Sequence, residues 1–290
     1  MKRVSILKIE QFHDHDATED FYANTLQNHL QTRHKDIALP HKHNFYLAVL
    51  FTKGTGIHEI DFMSYDVKPG TLFFLNPGQT HHWELSEDTE GYIFFHTQEF
   101  YDLHYTNNKL SGFPFYYSIH NTPYVYLDNE KAKKIKSLFE MLLSEYASDK
   151  ILNKESLISL ADLIYIESTR AYILQNPSVL NNKDKYYTKF RKLEELIEKH
   201  YLTEKSPSAY ANMLNMTSKH LNRITQAVVG KTASDVILER VMLEAKKELI
   251  LQRNGFAEVA YSLGYEDYAY FSKLFRKKTG TTPSAFLSRY

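Results

Sequence analysis

Two copies of one helix–turn–helix pattern lie in the last third of this 290-residue chain, and they constrain its fold more than any other feature. The later copy runs Gly255-Phe256-Ala257-Glu258-Val259-Ala260-Tyr261-Ser262-Leu263-Gly264-Tyr265 and on through Glu266 to Gly280. Val259, Ala260 and Leu263 share one helical stripe, and Gly264 supplies the left-handed residue that ends the helix. Asp267 is placed to cap a second helix whose apolar stripe is Phe271, Leu274 and Phe275. In the earlier copy Ser206-Pro207 opens a helix with Tyr210, Ala211 and Leu214 on its stripe, and Asn215 makes the turn. Thr217 caps the next helix, which carries Leu221, Ile224 and Val228 and closes at Gly230. Leu214 aligns with Leu263, Asn215 with Gly264, Arg223 with Lys273 and Gly230 with Gly280. Two short helices around such a turn, the second with a polar outer face, is the construction that enters a DNA major groove.

The outward positions of the two second helices are therefore the candidate DNA contacts. On the first they are Ser218, Lys219, Asn222, Arg223 and Gln226; on the second, Tyr268, Ala269, Ser272, Lys273 and Arg276, with Lys277 and Lys278 beside them. Arginine pairs with guanine and Asn or Gln with adenine, while Tyr268 and Ala269 offer apolar contact to a thymine methyl. Lys273 suits a base or a phosphate, and Arg276, Lys277 and Lys278 suit phosphates. Between the motifs, Ser234 is placed to cap a helix from Asp235 to Leu251, about 25 Å long at 1.5 Å per residue. A rod of that length would let one chain present two reading helices to successive major grooves about 34 Å apart.

Residues 186–288 resemble the DNA-binding domain of the arabinose-regulator (AraC/XylS-type) transcription factors. The resemblance rests on Gly264-Tyr265, Tyr270-Phe271-Ser272-Lys273, Phe275-Arg276-Lys277 and Thr279-Gly280-Thr281-Thr282-Pro283-Ser284. The first repeat departs from the family pattern at Thr225-Gln226, where an aromatic and a basic residue are usual. The family implies a transcriptional regulator, not an enzyme, with double-stranded DNA and a small-molecule effector as partners.

Charge supports this once the chain is divided. The whole is neutral, with 35 basic and 35 acidic residues. From Lys183 onward, however, 19 Lys and Arg stand against 12 Asp and Glu, a net of +7, so the first 182 residues carry 16 against 23, a net of −7. Such asymmetry between halves is a polyanion-binding signal that the average hides. The absence of Cys excludes disulfides and thiolate metal sites. The start, Met1 to Lys8, lacks a secretory leader pattern, and no apolar run reaches membrane-spanning length, so a cytoplasmic protein without membrane contact is expected.

The first 127 residues have a strand rhythm. Phe45–Phe51, Ile57–Phe62, Thr71–Leu75 and Tyr92–Phe95 are separated by Lys53-Gly54, Pro69-Gly70 and Pro77-Gly78, as in an all-β sandwich or barrel. Gly70–His81 and Pro40-His41-Lys42-His43 resemble the two motifs of the cupin barrels, the sensor half common in the same regulator family. The resemblance places His41, His43 and His81 where a metal-binding cupin has its imidazoles. Tyr46, Leu47 and Ala48 stand where its carboxylate would follow. Two readings stay open: a metal site on His41, His43 and His81, or an effector pocket lined by His41, His43, Tyr46, His81 and Trp83. The second is preferred, and no cofactor is expected. The His13-Asp14-His15-Asp16 cluster reads as a solvated loop. The 22 Tyr and 18 Phe, among them Phe94, Phe95, Phe100, Tyr101, Tyr105, Phe113, Phe115, Tyr116 and Tyr117, could line a pocket or simply fill a core.

Residues 128–175 read as two amphipathic helices, Glu130–Tyr146 and Lys154–Leu174, which would pack on the barrel or make a homodimer. The polar, Pro-broken stretch 176–185 is the expected linker, and 186–290 the DNA-binding domain. The fold class expected is thus multidomain α and β: a cupin-like barrel with helices, then an all-α domain of two helix–turn–helix motifs joined by a linker helix. Two other classes compete with the regulator. A cupin metalloenzyme or metal sensor fused to the reader lacks the carboxylate, and an RNA-binding or scaffolding protein lacks the aromatic strand motifs of single-strand readers.

Overall fold

The computed structural model describes residues 5–12, 20–33, 39–102, 110–176, 185–251 and 255–289. Met1–Val4, the His13–Asp16 cluster, Tyr105 and most of the linker lie outside the described residues. The chain divides into two compact units, residues 5–180 and residues 181–290.

The first unit contains β1 (Ser5–Leu7), β2 (Phe21–Thr25), α1 (Leu26–Thr32), β3 (His41–His43), β4 (Tyr46–Lys53), β5 (Gly56–Ile60), β6 (Met63–Val67), β7 (Thr71–Leu75), β8 (Thr80–Leu85), β9 (Glu90–His96), α2 (Gln98–Asp102), α3 (Pro114–Tyr117), β10 (Tyr124–Tyr126), α4 (Asn129–Tyr146) and α5 (Asn153–Gln175). The expected barrel takes the form of two five-stranded sheets, ordered β1-β3-β8-β5-β6 and β10-β7-β4-β9-β2. Pairing is antiparallel throughout except for β1 with β3. The strand expected at Ile57–Phe62 stops at Ile60, because Asp61 (φ 48°) and Phe62 (φ 70°) form the left-handed pair of a tight hairpin turn into β6. The Asp61 carboxylate fixes that turn by accepting from Thr80 N at 3.0 Å and Gln79 Nε2 at 3.1 Å.

The second sheet is covered on both faces, which explains why β4 and β7 read as continuous apolar runs rather than alternating ones. Leu47, Val49, Phe51, Phe73, Leu75 and Phe95 face the first sheet and close on Ile60, Val67 and Trp83. Their neighbours Ala48, Leu50, Leu72, Phe74 and Phe94 face the other way, onto Ile135, Leu138, Phe139 and Leu142 of α4 and Leu157, Ala161, Ile164 and Tyr165 of α5. Two cores thus share one sheet, alternating residue by residue along each strand. The Asp128 side chain caps α4 by accepting from Lys131 N.

The second unit holds α6 (Lys185–His200), α7 (Pro207–Met213), α8 (Ser218–Val229), α9 (Ala233–Leu251), α10 (Phe256–Ser262), α11 (Tyr268–Thr279) and α12 (Pro283–Leu287). Helices α7–α8 and α10–α11 are the two expected motifs. Phe190, Leu193 and Ile197 of α6 pack with Tyr210, Leu221, Ile224, Val236 and Ile237 to form the core of the first motif.

Candidate functional site

The two reading helices are set by local chemistry. Thr217 caps α8 by accepting from His220 N at 3.2 Å, and Gly230 ends it at φ 68°. The Asp267 carboxylate caps α11 by accepting from Ala269 N at 2.9 Å and Tyr270 N at 3.1 Å, and Gly280 ends it at φ 79°. Asn215 (φ 51°) and Gly264 (φ 78°) hold the equivalent left-handed position in the two turns.

Burial then divides each helix into a back and a face. Leu221, Ile224 and Thr225 of α8 are buried, while Lys219, Arg223 and Gln226 are exposed and Ser218 is half-buried. Thr225, where the family pattern has an aromatic, is fully enclosed and donates its hydroxyl to Asn222 O at 3.1 Å. Phe271 and Phe275 form the back of α11. Ala269, Lys273, Arg276 and Lys277 are exposed, and Tyr268 and Ser272 are half-buried.

Two of the expected contact residues and the start of the linker helix meet partners within the second unit. Asn222 is half-buried and its Oδ1 accepts from Ala233 N at 2.9 Å, so this side chain helps start α9. Lys278 is ion-paired with Asp235 of α9, whose carboxyl is pulled down to about 2 by that lysine and by Thr232. The cap of α9 is Thr232 rather than Ser234. Asp235 N donates to Thr232 Oγ1 at 3.1 Å and Thr232 Oγ1 donates back to Asp235 Oδ2 at 2.6 Å, so the helix begins at Ala233.

Sequence reasoning also missed a clamp. Arg240 of α9 donates through Nε and Nη2 to Glu198 of α6 at 2.6 and 2.9 Å and through Nη1 to Glu244 at 2.9 Å. Its guanidinium carbon lies 3.9 Å from the centre of the Tyr201 ring. A planar fork satisfied by two carboxylates and an aromatic face fixes α6 against α9. Gly264 sits so close to the segment after α6 that a Cβ there would lie 2.4 Å from Leu202 O. The turn of the second motif is thus seated on the first. Only the left-handed Gly264 was legible in sequence; its neighbour was not.

In the first unit His41, His43 and His81 do converge, with ring centres 4.2 Å (His41–His81) and 5.1 Å (His43–His81) apart, and Trp83 stands 5.0 Å from His81. His58, which sequence reasoning passed over, completes the group. Its Nε2 is 3.1 Å from His81 Nδ1. The period of β5 carries the signal for it, since His58 shares a strand face with the buried Ile60. Burial drives His41 down to about 4 and His43 to about 3, and pushes His58 well below its ordinary value. His41 and His43 each donate Nδ1–H to a backbone carbonyl, of Leu39 at 2.9 Å and Phe45 at 2.7 Å. That bond fixes the tautomer, as a metal site would require. The rest of such a site does not fit: among the described residues no group of three or more His, Asp and Glu is arranged to hold a metal ion. Tyr46, Leu47 and Ala48 supply no carboxylate, and Glu59 is drawn instead to His82 at 3.8 Å.

Tyr46 does not join the histidines. Its place in β4 has the parity of Ala48 and Leu50, so it lies on the helix side of the sheet, where its hydroxyl donates to Gln98 Oε1 at 2.7 Å. Its ring is 5.1 Å from Tyr116 and 5.8 Å from His96. There His96 Nε2 is 2.7 Å from Tyr165 Oη, and Tyr101 donates to the buried Asp162 at 2.6 Å. The aromatic residues, which the sequence left as pocket lining or core filling, are divided between the two cores, and Trp83, Phe45, Phe51, Phe73 and Phe95 fill the space between the sheets.

The helix–turn–helix domain family matches residues 210–289, and the AraC-like ligand-binding domain family matches residues 33–160. The chain is similar to the HTH-type transcriptional activator RhaS of Mannheimia succiniciproducens, 22% identical over 251 residues that cover 86% of this chain and 89% of the relative. It is similar also to the HTH-type transcriptional regulator YfiF of Bacillus subtilis, 20% identical over 275 residues, 93% of this chain and 83% of the relative. Among solved structures, ToxT from Vibrio cholerae matches at 11% identity and a TM-score of 0.46, over 92% of this chain and 98% of that one. The C-terminal domain of the response regulator yesN from Fusobacterium nucleatum matches at 26% identity and a TM-score of 0.31, over 33% of this chain and 93% of that one.

Proposed function

We propose a reading mechanism for this chain, which belongs to the AraC-type transcriptional regulators and joins a ligand-binding domain to a helix–turn–helix DNA-binding domain. Helices α8 and α11 enter successive major grooves on one side of a duplex, and a small molecule held by the first unit alters that binding without being chemically changed. The observation that carries this is the paired arrangement in the second unit: each motif has an apolar back and an exposed polar face on its second helix, and α9 is tied to both motifs by Arg240, Asn222 and Asp235.

On this reading Arg223 pairs with a guanine edge, and Gln226 and Lys219 extend the contact. Ala269 and Tyr268 face a thymine methyl, with Ser272 and Lys273 beside them. Arg276 and Lys277 neutralise phosphates, while Ser218 at the first turn of α8 meets the backbone. Asn222 and Lys278 act within the protein. The exposed Leu163, Ile166 and Leu174, which recur along the outer face of α5, support a homodimer through that helix. No helix among the described residues is long and apolar enough to cross a membrane, and the place of action proposed is the cytoplasm.

The test is selection of binding sites from a random duplex pool with the full chain, followed by footprinting. The expected footprint is two segments one helical turn apart on one face, weakening steeply with salt. A single protected segment, or no enriched sequence, would overturn the two-groove reading.

A further inference from the structure

The two motifs differ where they meet their surroundings. Both turns close in the same way, with Met216 N donating to Ala211 O and Tyr265 N to Ala260 O, each at 2.9 Å. Yet the residue after the left-handed turn is Met216 in the first motif and Tyr265 in the second. Two residues before the closing glycine, the first has Val228 and the second Lys278. Both of these second-motif residues are engaged from outside their motif. The half-buried Lys205, on the segment between α6 and α7, holds its ammonium 5.1 Å from the centre of the Tyr265 ring and donates to Leu202 O at 2.9 Å. Lys278 pairs with Asp235 in the first turn of α9.

We propose that Lys205 and Lys278 are positioning residues that set which spacing of half-sites the chain accepts on DNA, because together they pin both ends of α11. This rests on the two-groove reading above and names what enforces its geometry. Tyr265 stands just before α11 and Lys278 lies in its last turn, with a helix about 18 Å long between them at 1.5 Å per residue. One pin would leave a pivot, whereas pins at opposite ends remove the swing about either.

Each pin has a fixed base. The Glu204 carboxylate accepts from Lys205 N at 2.8 Å and Ser206 N at 2.7 Å, and the buried Tyr210 donates its hydroxyl to Glu204 O at 3.0 Å. The Lys205 segment is thereby held to α7. Tyr265 is 7% exposed, and its ring meets Phe271 of α11 at 5.3 Å. A cation within about 6 Å of an aromatic face is attracted to it, more strongly when partly out of water. At the other end, the turn of α9 that takes Lys278 also takes α8, since Asn222 Oδ1 accepts from Ala233 N. The first turn of α9 thus holds the middle of one reading helix and the end of the other. One base pair inserted between two half-sites turns the second by about 34° and moves it about 3.4 Å, which a helix pinned at both ends cannot follow.

The test measures binding of the full chain to the duplex most enriched from the random pool, and to the same duplex with one base pair inserted between its two protected segments. The unaltered chain should lose at least about tenfold in affinity on the insertion, a difference expected of a rigid reader. Lys205→Met combined with Lys278→Met should reduce that penalty to about threefold or less, while the base preferences within each segment stay as they were. Asp235→Asn, which removes the charge facing Lys278 but keeps an oxygen for Thr232, should lower the penalty part of the way. Lys278→Arg, which keeps the charge, should keep the penalty in full. An undiminished penalty in the double variant overturns the proposal, and if that variant does not fold, an undiminished penalty in Asp235→Asn does so. Lys278→Met that weakens both duplexes alike, with Asp235→Asn tightening both, also overturns it by placing Lys278 on a phosphate. Scrambling one segment separates the two ideas. If that costs the unaltered chain nothing, the two-groove reading falls and the proposal with it; if both segments are needed but the variants keep the spacing, the reading stands and the pins fall.

Discussion

Gly264→Ala isolates one tertiary contact from the backbone preference it shares with two other glycines. Gly230, Gly264 and Gly280 all have φ between 68° and 79°, so alanine at any of them carries the cost of a left-handed side chain, about 1–2 kcal/mol. At Gly230 and Gly280 a new Cβ would meet nothing within 4 Å. At Gly264 it would lie 2.4 Å from Leu202 O, a backbone atom that cannot swing aside, which adds an overpacking cost of about 1–3 kcal/mol. The expected loss is therefore about 2–5 kcal/mol for Gly264→Ala against about 1–2 kcal/mol for Gly280→Ala. For a unit of this size each kcal/mol lowers the midpoint by roughly 4 °C. The assay is thermal unfolding by far-ultraviolet circular dichroism, with the emission of Trp83 recorded in parallel. Trp83 is the chain's single tryptophan and lies in the first unit, so its transition should not move in either variant. Because the Gly264 turn is seated on the first motif, specific DNA binding should weaken as well. Equal destabilisation by Gly264→Ala and Gly280→Ala would refute the idea that this contact joins the two motifs.

Acid should act on the other unit. Folded His41 and His43 titrate at about 4 and about 3 because of burial, whereas the unfolded chain takes up those protons below about 6.5. Stability is full above that value and falls as pH drops from about 6.5 toward 4, by about 1.4 kcal/mol per pH unit for each imidazole that stays neutral; a urea midpoint at Trp83 that is flat from pH 7 to 5 would contradict this. Arg223→Ala should cost about 1–3 kcal/mol at the selected site and relax one base position, whereas Lys277→Ala should weaken all sequences alike and lower the salt slope by about one. Lys278→Ala should leave the salt slope unchanged and reduce stability instead, since this lysine is committed to Asp235; equal slopes for the Lys277 and Lys278 variants would put both on phosphates. Leu174→Glu should turn a dimer into a monomer in sedimentation while leaving Trp83 emission intact, and an unchanged mass would remove α5 from the interface.

The helix–turn–helix pairs were legible because everything that defines them is local. Caps at Thr217 and Asp267 act over three residues, the left-handed turns at Asn215 and Gly264 over one, and the apolar stripes recur every three or four. Four strands of the first unit, β4, β5, β7 and β9, were legible for the same reason, as were α4 and α5 within a residue at each end, whereas β1, β2, β6, β8 and β10 were not read. What lay beyond sequence was partner choice across long separations. Asn222 and Lys278 have the composition and spacing of DNA contacts, but they also meet Ala233 and Asp235 because the start of α9, 11 and 43 residues away from them in sequence, packs beside both. Tyr46 looks like a neighbour of His43, yet strand parity sends it to the opposite face of a sheet that only the tertiary structure covers on both sides. His58 reaches His81 through the register of β5 with β8, which no local rule sets. Local sequence determined which elements form and which of their residues are polar. Packing alone decided which of those polar groups the protein uses on itself and which it leaves exposed, because a hydrogen bond or ion pair to a distant partner depends on where the chain returns.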